Sequence, residues 1–249
     1  PHTALWIARA ELSLARAFVP EGILASEQAV DNYQRVWARD GIMAGVCGIL
    51  TGDEALMEQL RLTLLTLVRK QAPNGQIPSS VGLGNAGAVS YGTLAGRIDA
   101  SLWWLIGAAL LAKHRNDQSF ARQLAPTVGK LLMVFKAWEF NQAHLLYTPL
   151  GGNWADEYVT HGHTLYDNVL RVWAMRSAAE VWPNIVAVEA VDQLTQQVIA
   201  TFNAAPNDNR YHREAFDRLE KPVPGYAFAA CGPHGYDTRW DAMGNAFAL

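Results

Sequence analysis

The sequence of 249 residues has only two cysteines and no run of basic residues. Cys47 and Cys231 are far apart, and Cys47 falls in an apolar segment, so reduced thiols and a cytoplasmic location are favoured over a disulfide. The net charge is −3 and the isoelectric point is near 6.2. With no Lys/Arg cluster, this charge argues against nucleic acid or an anionic membrane surface as a partner.

The chain also lacks long apolar runs, linkers and repeats. Its most apolar segment, residues 100–112, is shorter than the ~20 residues of a membrane-spanning helix, so it predicts a helix buried in protein. No low-complexity linker divides the chain, which predicts a single domain over residues 1–249. No fixed period recurs, which disfavours a regular solenoid.

Signatures of metal and phosphate sites are missing too. His161 and His163 are spaced i, i+2 and lack a His-Glu-x-x-His zinc signature. The glycine-rich residues 82–87 lack the Gly-Lys-Ser/Thr ending of a phosphate-binding loop and follow no strand. We therefore expect no metal and no cofactor.

The sequence does contain helical periodicity and long loops. Apolar spacing predicts seven substantial helices, and the tail at 203–239 reads as loop with short strand at best. The predicted helices cover residues 3–18, 42–50, 54–70, 100–112, 118–140 with a break near Pro126, 165–182 and 185–202, and an unfinished one begins near Trp240. Long loops between helices predict an all-α fold of stacked hairpins, a toroid whose loops gather at one end.

Four loop-side groups combine carboxylates or amides with aromatic rings, which stack well on sugar rings. They are Trp37, Arg39 and Asp40; Arg97, Asp99, Trp103 and Trp104; Trp138, Glu139 and Asn141; and Asn153, Trp154, Asp156 and Glu157 with His161 and His163. Glycosidic cleavage needs one carboxyl to protonate the leaving oxygen and a second carboxylate opposite it. The chain therefore has suitable side chains for this chemistry.

Structural roles compete with each of these interpretations. Asp40 and Asp99 both precede apolar segments, where a carboxylate caps a helix or pairs with a neighbouring arginine. Glu139 fits a solvated helix end, and Trp103 and Trp104 cannot face the same way on a helix. Yet a carboxylate at the mouth of an apolar helix is costly unless it is paired or functional, so Asp99 is the candidate reacting group.

Several motifs, in order, resemble the six-hairpin (α/α)6-toroid glycosidases. Trp-Ala-Arg-Asp at 37–40 resembles their Trp-x-Arg-Asp element, and 71–78 resembles their Gln-x-x-x-Gly-x-Ile-Pro loop. Residues 97–104 resemble the element Asp-[Ser/Ala]-x-Leu-Trp-Trp. Segments 162–168 and 239–245 fall where neutral/alkaline invertases and glycogen-debranching amylo-α-1,6-glucosidases carry similar stretches. The likeness is nearest to those two groups.

The resemblance implies roles for individual residues. It makes Asp99 the general acid of an inverting glycosidase, while Arg39 and Asp40 hold hydroxyls of the sugar at the cleaved bond. It places aromatic residues around the sugar and polar residues near it; the candidates for these contacts are Trp37, Arg97, Trp103, Trp154, Asp156 and His163.

The resemblance also implies an incomplete toroid, with about seven to eight of the family's twelve helices. The second catalytic carboxylate of the family comes from a late segment, so we expect a chain truncated at its C-terminus. Failing that, Glu157 is the best local candidate for the second carboxylate. Exposed faces of an incomplete toroid predict self-association.

The sequence thus predicts a glycoside hydrolase that acts on an oligosaccharide or small glycoside. Two alternatives remain open: a carbohydrate-binding or scaffold protein without turnover, and a sugar epimerase or isomerase that uses His161 or His163 for proton transfer.

Overall fold

The computed structural model describes residues 2–84, 87–140, 143–155, 159–205, 207–220 and 225–248. The seven predicted long helices are present: α1 (His2–Arg16), α2 (Ala38–Thr51), α3 (Glu54–Val68), α4 (Ile98–His114), α5 (Gln118–Ala137), α6 (Leu165–Val181) and α7 (Val188–Phe202). A short α8 (Arg213–Asp217) and α9 (Ala242–Phe247) follow. The predicted helical fold class is confirmed.

Three details of the prediction were wrong: the break in α5, the start of α7 and the tail at 203–239. Helix α5 runs unbroken through Pro126. Pro126 and Arg122 are both exposed, so the Arg122 carbonyl that loses its helical partner faces water. Helix α7 begins at Val188 rather than Ile185.

The tail contains a real hairpin, β7 (Phe228–Gly232) and β8 (Gly235–Trp240), which with β6 (His163–Thr164) forms an antiparallel sheet. All five residues of β7 are buried, so its sequence shows no alternation to reveal a strand.

Two smaller antiparallel sheets lie in the first half of the chain. One pairs β1 (Phe18–Val19) with β2 (Gly22–Ile23). The other places β4 (Ser80–Val81) between β3 (Val36–Trp37) and β5 (Val89–Ser90). Strands β3, β6 and β8 each lead into a helix, α2, α6 and α9 respectively.

The helices form two layers. Helix α4 packs between α2 and α6, and α9 packs on α6, which makes an inner layer; α3, α5 and α7 lie outside α2, α4 and α6. Nearly every residue of α4 is buried, as expected of a helix that is apolar all round. An added Cβ on Gly107 of α4 would lie 2.7 Å from Ile42 Cγ2 of α2, so this glycine permits their close approach. The arrangement is a partial helical toroid.

An apolar groove of about 590 Å³ lies beside the last inner helices. Its walls include Val169 and Trp173 of α6, Phe202 of α7 and Phe247 of α9. It is the kind of exposed face on which the predicted self-association depends, and self-association stays a prediction. Within the described ranges, no helix is both long and apolar enough to cross a bilayer.

Gly75, in the loop after α3, is expected to be intolerant of a side chain. Its φ is +99°, and an added Cβ would lie 2.6 Å from the Lys130 carbonyl oxygen of α5. Gly75→Ala should therefore lower the free energy of unfolding by about 2 kcal/mol or more in urea denaturation. Gly129, within α5, has open space around it, so Gly129→Ala should raise stability by up to ~1 kcal/mol. Equal effects of the two substitutions would contradict this.

Candidate active site

Asp99 lies in the first turn of α4, at the end where the inner helices begin. Only 1% of it is exposed, and its Oδ2 accepts a hydrogen bond from Arg39 Nη1 of α2 at 3.1 Å. Burial raises the pKa of Asp99, and the charges of Arg39 and Arg97 offset only part of that effect. The residue before the helix, Arg97, is its N-cap, so Asp99 is not the cap itself. Asp99 is therefore a buried, paired carboxyl.

Arg39 joins two of the predicted site residues. Besides Asp99 it approaches Asp40, with Nη2 at 3.9 Å from Asp40 Oδ2. Burial lowers its pKa, but the charges of Asp99 and Asp40 outweigh burial and raise it. The buried Arg97 guanidinium lies 5.9 Å from the ring centre of Trp37, whose ring stacks on Tyr33. The predicted groups at 37–40 and 97–99 thus form one cluster.

The loop at 71–78 fixes the start of α4. The Ile77 amide donates to Ser101 Oγ at 3.1 Å, and the Gln76 side chain packs against Gly96, the residue before Arg97. This loop then enters β4, which pairs with β3 just before Arg39. The loop thus contacts both the start of α4, which carries Asp99, and the strand that precedes Arg39.

Asp167, in the first turn of α6, is a second buried carboxyl that the predicted site did not include. It is 0% exposed, and its Oδ2 accepts from Thr148 Oγ1 (2.8 Å), Asn153 Nδ2 (2.8 Å) and Thr164 Oγ1 (2.6 Å). Its Oδ1 has no hydrogen-bond partner in the described parts of the chain. Burial and the negative charge of Asp99 raise the pKa of Asp167 to about 7, although these three hydrogen bonds lower it.

Tyr166 is buried, and the charges of both carboxyls, Asp99 and Asp167, act on its hydroxyl. Trp103 Nε1 donates to its hydroxyl at 3.0 Å, and Trp154 packs edge-on against its ring. Burial, Asp99 and Asp167 together raise the pKa of Tyr166 well above its ordinary range, so it stays a neutral hydroxyl. Trp103 is 2% exposed and contacts Trp173 and Phe247, which makes it a support for Tyr166 within the core.

Trp154 connects this cluster to a cavity. The cavity is about 410 Å³ and is lined by residues that include Trp154, Arg239, Trp240 and Asp241. Trp240 is 57% exposed, and Asp241 caps α9 by accepting from the Gly244 amide at 2.9 Å. Residues 239–241, in a segment singled out by sequence, thus lie beside Trp154.

The remaining predicted residues lie elsewhere or outside the described residues. His163 is buried on β6 and lines a separate cavity with Tyr147 and Tyr211. His161 packs against His234, with ring centres 5.4 Å apart. Asp156 and Glu157 lie outside the described residues.

The Trp138–Asn141 group yields no site in its described part. Glu139 forms ion pairs with Arg171 and Lys136. Burial opposes ionisation, but these two charges hold the pKa of Glu139 below its ordinary value. Asn141 lies outside the described residues, and in the ranges described no three His, Cys, Asp or Glu side chains group as metal ligands.

The cluster combines features that acid catalysis of bond cleavage requires: two buried carboxyls of raised pKa and an arginine paired with one of them. An aromatic-lined cavity is connected to it through the contact of Trp154 with Tyr166. A sequence signal for Asp167 exists. Like Asp40 and Asp99, it is an acidic residue in the first turn of an inner helix, where the helix dipole favours negative charge.

Comparison with known proteins supports the fold. No family model and no curated protein matches the chain. Among solved structures, the chain is similar to a rhamnosidase from Klebsiella oxytoca with rhamnose bound, at 13% sequence identity and a TM-score of 0.63. The match covers 96% of this chain and 42% of that chain. The chain therefore shares the fold of a part of that rhamnosidase, less than half of its length.

Proposed function

We propose that this chain carries the acid side of a glycoside hydrolase site. The observation that supports it best is the pair of buried carboxyls, Asp99 and Asp167, at the starts of two adjacent inner helices. Such carboxyls are costly to bury, and raised carboxyl pKa values are typical of catalytic acids. The similarity in fold to a rhamnosidase agrees with this chemistry.

In this proposal Asp99 remains the general acid. The charge of Asp99 raises the pKa of Asp167, so the two titrate as a coupled pair that retains one proton near neutral pH. In the resting pair Asp99 is ionised against Arg39, which orients it, and Asp167 holds the proton. Asp99 acts as the acid once that proton has passed to it from Asp167, so Asp167 is a positioning residue that supplies the proton. Inversion is the proposed course of the reaction, and Glu157 is the local candidate for the water-activating carboxylate.

Sugar binding is assigned by the same proposal. Trp154 and Trp240 offer ring faces in the 410 Å³ cavity, and Arg39 and Asp40 are partly exposed at the rim of the carboxyl cluster. Trp37, Arg97 and Trp103 shape the cluster from within, whereas Asp156 and His163 remain candidate contacts.

A rhamnoside is the first substrate to test; fructosides and α-1,6-glucosides, from the motif likeness, come next. The cytoplasmic location stays a prediction.

The test is hydrolysis of aryl α-L-rhamnoside, sucrose and isomaltose by the chain and two variants. Asp99→Asn should reduce kcat by about 100-fold or more, because general acid catalysis contributes about 10²–10⁴-fold. Asp117→Asn is the matched control: Asp117 caps the outer helix α5, where Asn caps equally well, so activity should be unchanged. Ordinary hydrolysis by Asp99→Asn would refute the assignment.

One observation favours the carbohydrate-binding alternative. Asp99 and Asp167 are 1% and 0% exposed, so a sugar reaches them only if the surrounding loops open. Sugar binding in calorimetry, with no hydrolysis of any substrate by the parent chain, would support binding without turnover. For an epimerase, deuterium from solvent should appear at a carbon of the sugar.

A further inference from the structure

A second cavity lies on the other side of strand β6 from the carboxyl pair. Its volume is about 370 Å³, and its walls include Phe140, Tyr147, His163, Tyr211 and His212. Four of these rings follow one another in contact, with centres 5.4 Å apart for Phe140 and Tyr147, 5.4 Å for Tyr147 and His163, and 4.9 Å for His163 and Tyr211. Successive rings are tilted or meet edge to face, at interplanar angles of 58°, 86° and 76°, so this aromatic wall presents ring faces and ring edges together with polar atoms.

Strand geometry separates this cavity from the catalytic cluster. Successive side chains of a strand point to opposite faces. Thr164 Oγ1 contacts Asp167 Oδ2, whereas the neighbouring His163 side chain lines the aromatic cavity. The two-residue strand β6 therefore forms the partition between two sites.

His163 is held in one orientation and one tautomer. Its Nδ1 lies 3.0 Å from the Leu146 carbonyl oxygen, which can only accept, so Nδ1 carries the hydrogen and Nε2 is the acceptor of the neutral ring. Burial lowers the pKa of His163, which favours that neutral ring. The cavity wall thus includes a fixed imidazole together with tyrosine rings.

The lack of charged side chains in the cavity wall indicates an uncharged ligand. Among the described residues that line this cavity, none is Asp, Glu, Lys or Arg. An ionic ligand would therefore lose its hydration without gaining a counter-charge. Sugar rings suit such a wall, because their C–H faces stack on aromatic rings and their hydroxyls bond to Tyr and His.

We propose that this cavity is a second carbohydrate site, which binds one uncharged sugar ring against the wall formed by Tyr147, His163 and Tyr211. It is separate from the Trp154–Trp240 cavity beside the carboxyls. Its ligand is a free monosaccharide or one residue of an oligosaccharide. The proposal does not require that the chain hydrolyse anything.

The experiment compares two aromatic-to-alanine substitutions in the whole 249-residue chain. L-rhamnose, D-glucose and maltotriose are titrated by calorimetry, and the His163 ring nitrogens are followed by NMR. Tyr211→Ala should weaken binding about 10-fold, as expected for loss of a stacked ring, whereas Tyr211→Phe should retain most of it. Trp240→Ala, in the other cavity, removes only that cavity's share of the calorimetric signal and should leave the sugar-induced shift of the His163 signals unchanged. A preference for maltotriose over both monosaccharides would identify the ligand as part of an oligosaccharide.

The His163 resonances provide a readout that does not depend on a variant folding. They should shift on saturation with the sugar that binds, in the parent and in Asp99→Asn alike. Unshifted His163 signals, or binding that Trp240→Ala abolishes and Tyr211→Phe and Tyr211→Ala leave intact, would overturn the second site. Absence of binding by all three sugars would overturn it as well. Absence of hydrolysis, by contrast, bears only on the proposed enzymatic function.

Discussion

Arg39→Met is expected to lower the free energy of unfolding by about 3 kcal/mol at pH 7, because it leaves a buried carboxylate short of its partner. Asp99 is 1% exposed and receives its side-chain hydrogen bond from Arg39. Arg97 still acts on Asp99 by its charge, which keeps the loss below that of a fully isolated ion. Methionine retains the apolar length of the arginine side chain, so little packing is lost.

The double variant Arg39→Met/Asp99→Asn separates pairing from packing. If the loss comes from the unpaired carboxylate, replacing Asp99 by a neutral amide should restore most of the stability, and the double-mutant cycle should give a coupling of about 2 kcal/mol. Arg61→Met is the matched control. Arg61 pairs with Glu58 at the surface, where such pairs contribute about 0–1 kcal/mol.

Urea denaturation of the parent chain and the four variants measures these differences. Additive losses in the cycle, or a loss in Arg61→Met as large as that in Arg39→Met, would show that the Arg39–Asp99 pair is no stronger than a surface ion pair. That result would also remove the reason for assigning Arg39 an orienting role toward the proposed general acid.

The helices were predictable because their signals are local. The all-round apolar residues of α4 predict a buried helix, and Asp99 at its start is conspicuous by contrast. The link between Arg39 and Asp99 joins residues 60 positions apart. The local sequence could not predict this contact. The ordered motifs indicated only that both residues belong to one site.

Other parts of the site depend on long-range packing. The contact of Trp103 with Tyr166 spans 63 residues, and the sequence could say only that Trp103 and Trp104 cannot both face a pocket. The position of His163 depends on strand β6, which pairs with β7. With only two residues, β6 is too short to show the alternation by which a strand is predicted. Asp167 has a local signal, an acidic residue in the first turn of a helix, but the resemblance assigned no catalytic role to segment 162–168, which contains it.

Asp167→Asn is expected to change how stability depends on pH. The pKa of Asp167 is about 7 in the folded chain and near 3.8 in the unfolded chain. Between these values the folded state holds a proton that the unfolded state has released, so folding stability falls as pH rises from about 4 to 7. The difference of about 3 pKa units corresponds to about 4 kcal/mol at pH 7 and above, relative to acid. Asparagine does not titrate and removes this loss.

The substitution has its own cost, and the two effects oppose each other. The amide oxygen can still accept from Thr148, Asn153 and Thr164, but the NH₂ group replaces Oδ1, which has no hydrogen-bond partner among the described residues. A buried unpaired NH₂ costs about 1–3 kcal/mol. Asp167→Asn should therefore be less stable than the parent near pH 4 and at least as stable near pH 8, so the two stability curves cross.

The measurement is the free energy of unfolding of parent and variant across pH 4–8, where their difference isolates the titration of residue 167. Asp117→Asn, at the half-buried N-cap of α5, is the control and should give a curve that stays parallel to the parent's. Parallel curves for Asp167→Asn as well would mean that Asp167 ionises normally in the folded chain. Because a carboxyl that ionises at its ordinary pKa cannot hold a proton at neutral pH, that outcome would leave Asp99 without the protonated partner that the proposed site requires.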